Sequence, residues 1–117
     1  MGETIRLTSA ADGFAFEAYR APTLDARRGG LVMLPAIWGV TPHLRALAGE
    51  FAEDGYETLV PSLFDRALPG FAEHDIDPAS KAERLALAAV TDWDVTAGDI
   101  QAAIAALAPP VFAVGFC

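Results

Sequence analysis

The sequence predicts an α/β fold: a mostly parallel sheet of five strands, opened by an antiparallel hairpin and flanked by helices. Three observations carry this. Residues 31–35 form an apolar run with no alternation, which is how a strand covered on both faces reads. An amphipathic helical pattern follows, and then another strand at 56–60, so the middle of the chain is a strand–helix–strand unit. After a long crossover, residues 111–115 are again wholly apolar.

Taken in order, residues 5–8 are a short strand candidate. Ala11-Asp12-Gly13 supplies a turn, because Asp and Gly accept the positive φ that tight hairpins require. In residues 14–20, Phe14, Phe16 and Ala18 alternate with Ala15, Glu17 and Tyr19, which predicts an antiparallel strand with one buried face. Pro22 ends it, and residues 23–30 are a polar loop. After the 31–35 strand, residues 36–40 form the exit loop. Thr41-Pro42 then reads as N-cap and first helical residue. Leu44, Leu47, Ala48, Phe51 and Ala52 share one helical face, and Gly55 caps the end. Pro61 closes the 56–60 strand. Residues 62–78 are irregular and long for a connection, a mark of functional loops. Ser80-Lys81-Ala82-Glu83 is a capping box opening a helix to about Val90. A second helix is expected over 94–108, with Ile100, Ala103, Ile104 and Leu107 on its buried face, stopped by Pro109-Pro110. Each parallel crossover should be right-handed.

Composition narrows the function classes. A chain of 117 residues, 53% hydrophobic and 21% charged, is globular and forms one core at most. A net charge of −8 repels phosphate backbones and argues against nucleic acid as a partner. One cysteine allows no intrachain disulfide, which fits a reducing, cytoplasmic setting. The start M-G-E-T-I-R lacks the apolar core of a secretory signal, and Arg6 stands where a myristoylation motif takes Ser or Thr. The longest apolar run, residues 31–40, is about half a membrane span and contains Pro35, so no membrane partner is expected. Neither metal-ligand spacing nor a phosphate loop is visible, so no metal and no cofactor are expected.

The most informative stretch is V-F-A-V-G-F-C, residues 111–117. A strand, a glycine and then a nucleophilic residue make half of a G-x-[S/C]-x-G nucleophile elbow, the strand-to-helix bend of α/β-hydrolases. Cys117 therefore reads as a catalytic nucleophile at the carboxyl end of a parallel strand, or as a small buried hydrophobe. The loop Pro35-Ala36-Ile37-Trp38-Gly39 reads as an ordinary loop with an aromatic plug, or as an oxyanion hole with the Ile37 N–H as donor and Trp38 against the substrate. Arg66 either pairs locally with Asp65 or clamps a substrate carboxylate, which its fork geometry suits. His43 and His74 read as surface residues rather than bases.

Together these segments resemble the dienelactone hydrolase family of α/β-hydrolases. The matches are Ala11-Asp12-Gly13, Ala36-Ile37-Trp38-Gly39-Val40 with Pro42-His43, Asp54-Gly55-Tyr56, Pro61-Ser62-Leu63-Phe64-Asp65-Arg66, Ala97-Gly98-Asp99-Ile100 with Ala103-Ile104, and Val114-Gly115-Phe116-Cys117. The resemblance implies a strand order 1-2-4-3-5 and opening of small, anionic lactones or esters through an acyl-enzyme. It implies a Cys–His–Asp triad with Cys117 as nucleophile, an oxyanion donor at Ile37 and a carboxylate-binding Arg66. Ala36 stands where family members carry a glutamate that engages the resting thiol. The triad Asp and His of the family belong to its C-terminal half. Residues 1–117 are thus expected to be the N-terminal part of a single hydrolase domain, inactive alone, and either completed by a C-terminal polypeptide carrying both residues or the ordered or cleaved part of a longer protein. The other reading is a non-catalytic α/β fragment or carboxylate-binding module.

Overall fold

A computed structural model of the chain describes residues 2–24, 26–35, 40–63, 86 and 92–115. Five strands, β1 (Glu3–Thr8), β2 (Ala15–Ala21), β3 (Gly29–Leu34), β4 (Tyr56–Pro61) and β5 (Val111–Gly115), form one sheet in the order β1-β2-β4-β3-β5. Helix α1 (Pro42–Glu53) links β3 to β4, and α2 (Trp93–Ala105) precedes β5. β1, β2 and β4 pair antiparallel, while β3 runs parallel to both β4 and β5. The predicted mixed sheet and its strand order are what the chain adopts.

The β1–β2 turn forms as its residues require. Gly13 takes φ 78°, the Ser9 N–H donates to Phe14 O at 2.8 Å, and the Phe14 N–H donates to the Asp12 carboxylate at 3.1 Å. Phe16 and Ala18 are buried as the alternation predicts. β3 begins two residues earlier than expected, because the backbones of Gly29 and Gly30 already pair with Tyr56 and Glu57.

Helix α1 starts at its predicted cap. Thr41 Oγ1 accepts from the Leu44 N–H at 3.1 Å, and Pro42 holds the first helical position. Leu44, Ala48 and Ala52 are buried, with Leu47 and Phe51 packed beside them. Asp54 is the C-cap, and Gly55 follows at φ +98°, a conformation that favours glycine.

Side chains alternate across β3, so the sheet carries two cores. Leu31 and Met33 join Val60, Ala21 and the apolar face of α1. Val32 joins Leu59, Ala103 and Leu107 on the α2 side, with Leu34 and Val111 beside them. Helices on opposite faces of a central sheet make three layers.

The second helix corrects the sequence reading in two ways. It ends at Ala105 rather than Ala108, and its buried face is Thr96, Asp99 and Ala103, continued by Leu107 beyond the helix end. Ile104 is 40% exposed. Counting only apolar side chains rotated the expected face toward Ile104, because the true face contains two buried polar residues. Gly98 explains the close approach: a Cβ there would lie 2.6 Å from Ala11 Cβ, and the Ala10 N–H donates to Gly98 O at 3.1 Å. The capping box at residues 80–83 lies outside the described residues; Ala86 beyond it is helical and exposed.

Candidate active site at the carboxyl edge of the sheet

Parallel strands release their exit loops at one edge, and here three such exits fall side by side. In register, Leu34 at the end of β3 pairs with Gly115 at the end of β5. On the other side of β3, β4 ends at Pro61. Neighbouring strands lie about 4.8 Å apart, so the three exits span about 10 Å across the sheet. Open α/β sheets bind ligands in this position.

Each exit is anchored by burial. Pro35 is buried after β3, and Val40 returns the chain to the core beside α1. The stretch between those anchors is 36–39. After β4, Ser62 is buried and its N–H donates to Glu17 O at 2.9 Å, and Leu63 is buried next to it. Arg66 follows Leu63 by three residues in the sequence. Cys117 follows two residues beyond Gly115.

Ile37, Trp38, Arg66 and Cys117 themselves lie outside the described residues, as do Ala36 and His74. The structure describes the strand ends before them: β3 and β5 end as hydrogen-bonded neighbours, and β4 ends on the other side of β3. His43 is exposed in the first turn of α1, in keeping with its reading as a surface residue. No described atom lies within 4 Å of a Cβ placed on Gly115. Among those residues no cluster of His, Cys, Asp or Glu could hold a metal ion, and no helix is long and apolar enough to cross a membrane.

Two polar groupings went unnoticed in the sequence. At the opposite edge of the sheet, Glu57 accepts from Arg20 and Arg27, with ion-pair distances of 2.7 and 3.0 Å. Arg20 also meets Glu3 at 3.1 Å. Partial burial works to raise the Glu57 pKa, but the hydrogen bonds from Arg20 and Arg27 outweigh it and hold the carboxyl below its ordinary value. Arg27 also donates to Ala108 O at 2.6 Å, tying the end of the α2 segment to β4. The second grouping surrounds Arg45 on α1, whose guanidinium carbon lies 5.3 Å from the Tyr19 ring centroid. Residues brought together across such sequence separations leave no local signal.

Comparison with known proteins agrees with this geometry. The family model of the dienelactone hydrolase family matches residues 16–117. Carboxymethylenebutenolidases of Pseudomonas putida and Pseudomonas knackmussii are each 27% identical over 101 residues, covering 80% of this chain and 43% of theirs. The chain thus spans less than half the length of these curated relatives. A crystal structure from Klebsiella pneumoniae, named as a dienelactone hydrolase, superposes with a TM-score of 0.73 at 21% identity, over 100% of this chain and 50% of that one. A dienelactone hydrolase-like promiscuous phosphotriesterase from metagenomic libraries gives 0.67 at 21% identity, over 99% and 49%. These two likenesses concern the fold. With a family match that runs through β2 to the last residue, and a sheet in the order such a fold requires, the chain belongs to the dienelactone hydrolase family.

Proposed function

We propose that this chain is the nucleophile-bearing half of a hydrolase of small esters or lactones, with Cys117 as the nucleophile. The observation that carries this reading is the pairing of Leu34 with Gly115, which starts the 36–39 loop and the Cys117 segment from adjacent strands at the carboxyl edge. An oxyanion donor and a nucleophile must meet at one carbonyl group, and neighbouring strand ends are a direct way to bring them there.

In this reading the Cys117 thiolate attacks the carbonyl carbon, forming a C–S bond as the π electrons move to oxygen. The Ile37 N–H donates to that oxyanion. Collapse breaks the C–O bond; an imidazolium protonates the departing oxygen, leaving a thioester. Water, deprotonated by the same imidazole, then attacks the thioester and releases the acid and the thiol. The imidazole and its orienting aspartate come from a C-terminal polypeptide outside these 117 residues. An unpaired, apolar outer edge of β5 among the described residues supports a segment docking there. So does a groove of about 280 Å³ on the α1 side, lined by Leu31, Phe51, Tyr56 and Phe112.

The substrate is taken to be anionic, held by Arg66 with Trp38 against its apolar part. The relatives' name, carboxymethylenebutenolidase, denotes a substrate with both a carboxylate and a lactone ring. A chain of net charge −8 needs a local guanidinium to hold such an anion. The setting is taken to be cytoplasmic, as one cysteine kept as a thiol suggests.

The test is turnover of an activated ester by the assembly with a family C-terminal half. Cys117→Ala is expected to lower kcat by at least about 10³-fold. Turnover that survives the substitution rejects the cysteine mechanism. A second reading, a carboxylate-binding module without catalysis, is favoured by Ala36, which stands where the family's glutamate would engage the thiol. It predicts carboxylate binding that needs Arg66 in an assembly with no turnover at all.

A further inference from the structure

Arg45 Nε is fully buried and has no hydrogen-bond partner, alone among the buried side-chain nitrogens and oxygens of the described residues. Its guanidinium carbon lies 5.3 Å from the Tyr19 ring centroid, a cation–π contact that satisfies the face of the group but not this N–H. A buried charged donor without an acceptor is costly, and native interiors rarely leave one so. Beside it lies a small cavity of about 10 Å³, lined by Arg45, Glu17, Tyr19, Thr4, Val40 and Ser62. That volume is close to the least that holds a single water, about 10–15 Å³ by this measure. It is too small for a carboxylate or any organic ligand. The lining supplies the two to four polar partners that a buried water requires.

We propose that this cavity is an ordered-water site, and that Arg45 acts through it as a positioning residue. The water accepts from the Arg45 Nε–H and donates to the oxygens of Glu17 and Ser62. A carboxylate has acceptor capacity for such a bond beyond its existing ones. The location gives the site its consequence. Val40 follows Ile37 by three residues, and Ser62 precedes Arg66 by four. One water shared by α1, β2 and the end of β4 sets the chain at Val40 and at Ser62 against each other. Its role in catalysis rests on the hydrolase reading above; its existence does not.

The first test is a high-resolution crystal structure of the chain, with NMR of the Arg45 Hε proton. A water peak within about 3.2 Å of Nε, and an Hε that exchanges slowly with cross-relaxation to a long-lived water, support the site. An empty cavity, a direct bond from Nε to Glu17 or Ser62, or an Hε exchanging at the bulk rate overturns it. Arg45→Lys keeps the charge above Tyr19 and removes the Nε–H. It is expected to retain the fold and lose the water. In the completed hydrolase it should raise KM for a carboxylate-bearing ester at least about fivefold and change kcat by less than about twofold, since a shift at Ser62 moves the clamp more than the nucleophile. Equal losses in both, or no change in either, overturn the positioning role. The crystallographic and NMR readouts need no turnover, so their outcome is separate from that of the hydrolase reading.

Discussion

β3 and β5 are hydrogen-bonded neighbours with apolar sequences, GGLVML and VFAVG, yet they differ in burial among the described residues. Five of the six residues of β3 are buried, and it pairs on both sides. No residue of β5 is buried, and it pairs on one side only among the described residues. Met33 and Val114 face each other across the ladder, as do Leu31 and Phe112. Met33 is fully enclosed, whereas Phe112 is 52% exposed and touches Tyr56 edge-on, with ring centroids 6.3 Å apart. An apolar strand can thus be the centre of one core or the uncovered wall of another. Which it is depends on what lies beyond it in space, since both strands are wholly apolar.

The sharpest way to break this comparison is Met33→Asp. It places a carboxylate among the buried side chains of the α1 core with no partner of opposite charge, and should destabilise by about 4 kcal/mol or more. Loss of the cooperative urea transition checks it. A well-folded Met33→Asp protein would mean that the β3 core is far looser than its burial indicates.

A smaller effect is expected where the segment entering β5 is tied down. Glu57→Gln leaves Arg20 and Arg27 without their shared carboxylate and loosens the Ala108 end of the α2 segment, at a cost of about 2 kcal/mol. The sign with pH follows from the depressed pKa. Glu57 contributes its stability above its ordinary value of 4.5 and loses it as pH falls through its lower folded value. Urea midpoints for wild type and Glu57→Gln should therefore differ at pH 7 and converge in strong acid. A gap that widens on acidification rejects the assignment.

The smallest effect belongs to β5. Phe112→Lys should change the unfolding free energy by less than about 1 kcal/mol, because half of the ring is already in water. A loss as large as that of Met33→Asp would show that Phe112 belongs to the core.

Much of the sheet was legible before the structure because its signals are local. Phe16 and Ala18 alternate, Thr41-Pro42 caps α1, and the 31–35 run shows no polar break. The α2 face was misread because Thr96 and Asp99, polar by type, turn inward against the sheet, and nothing near them in the chain announces it. The candidate site was legible as a set of residue types at motif spacing; β3 and β5 end as paired neighbours, while Ile37, Trp38, Arg66 and Cys117 lie beyond the described residues. Arg45 was invisible, since its neighbours Tyr19, Val40 and Ser62 are assembled from β2, the α1 stem and the end of β4.

Period, cap and turn chemistry within a few residues settled the types of the described elements, and the resemblance of matched segments pointed to the family. Burial and pairing between distant segments settled the rest: that β3 is enclosed between two cores, that Glu57 gathers two arginines, and that Arg45 faces a cavity. Short-range preferences act through the backbone of a single stretch. The environment of a side chain is made by strangers in the sequence, and it exists only once the sheet has closed around it.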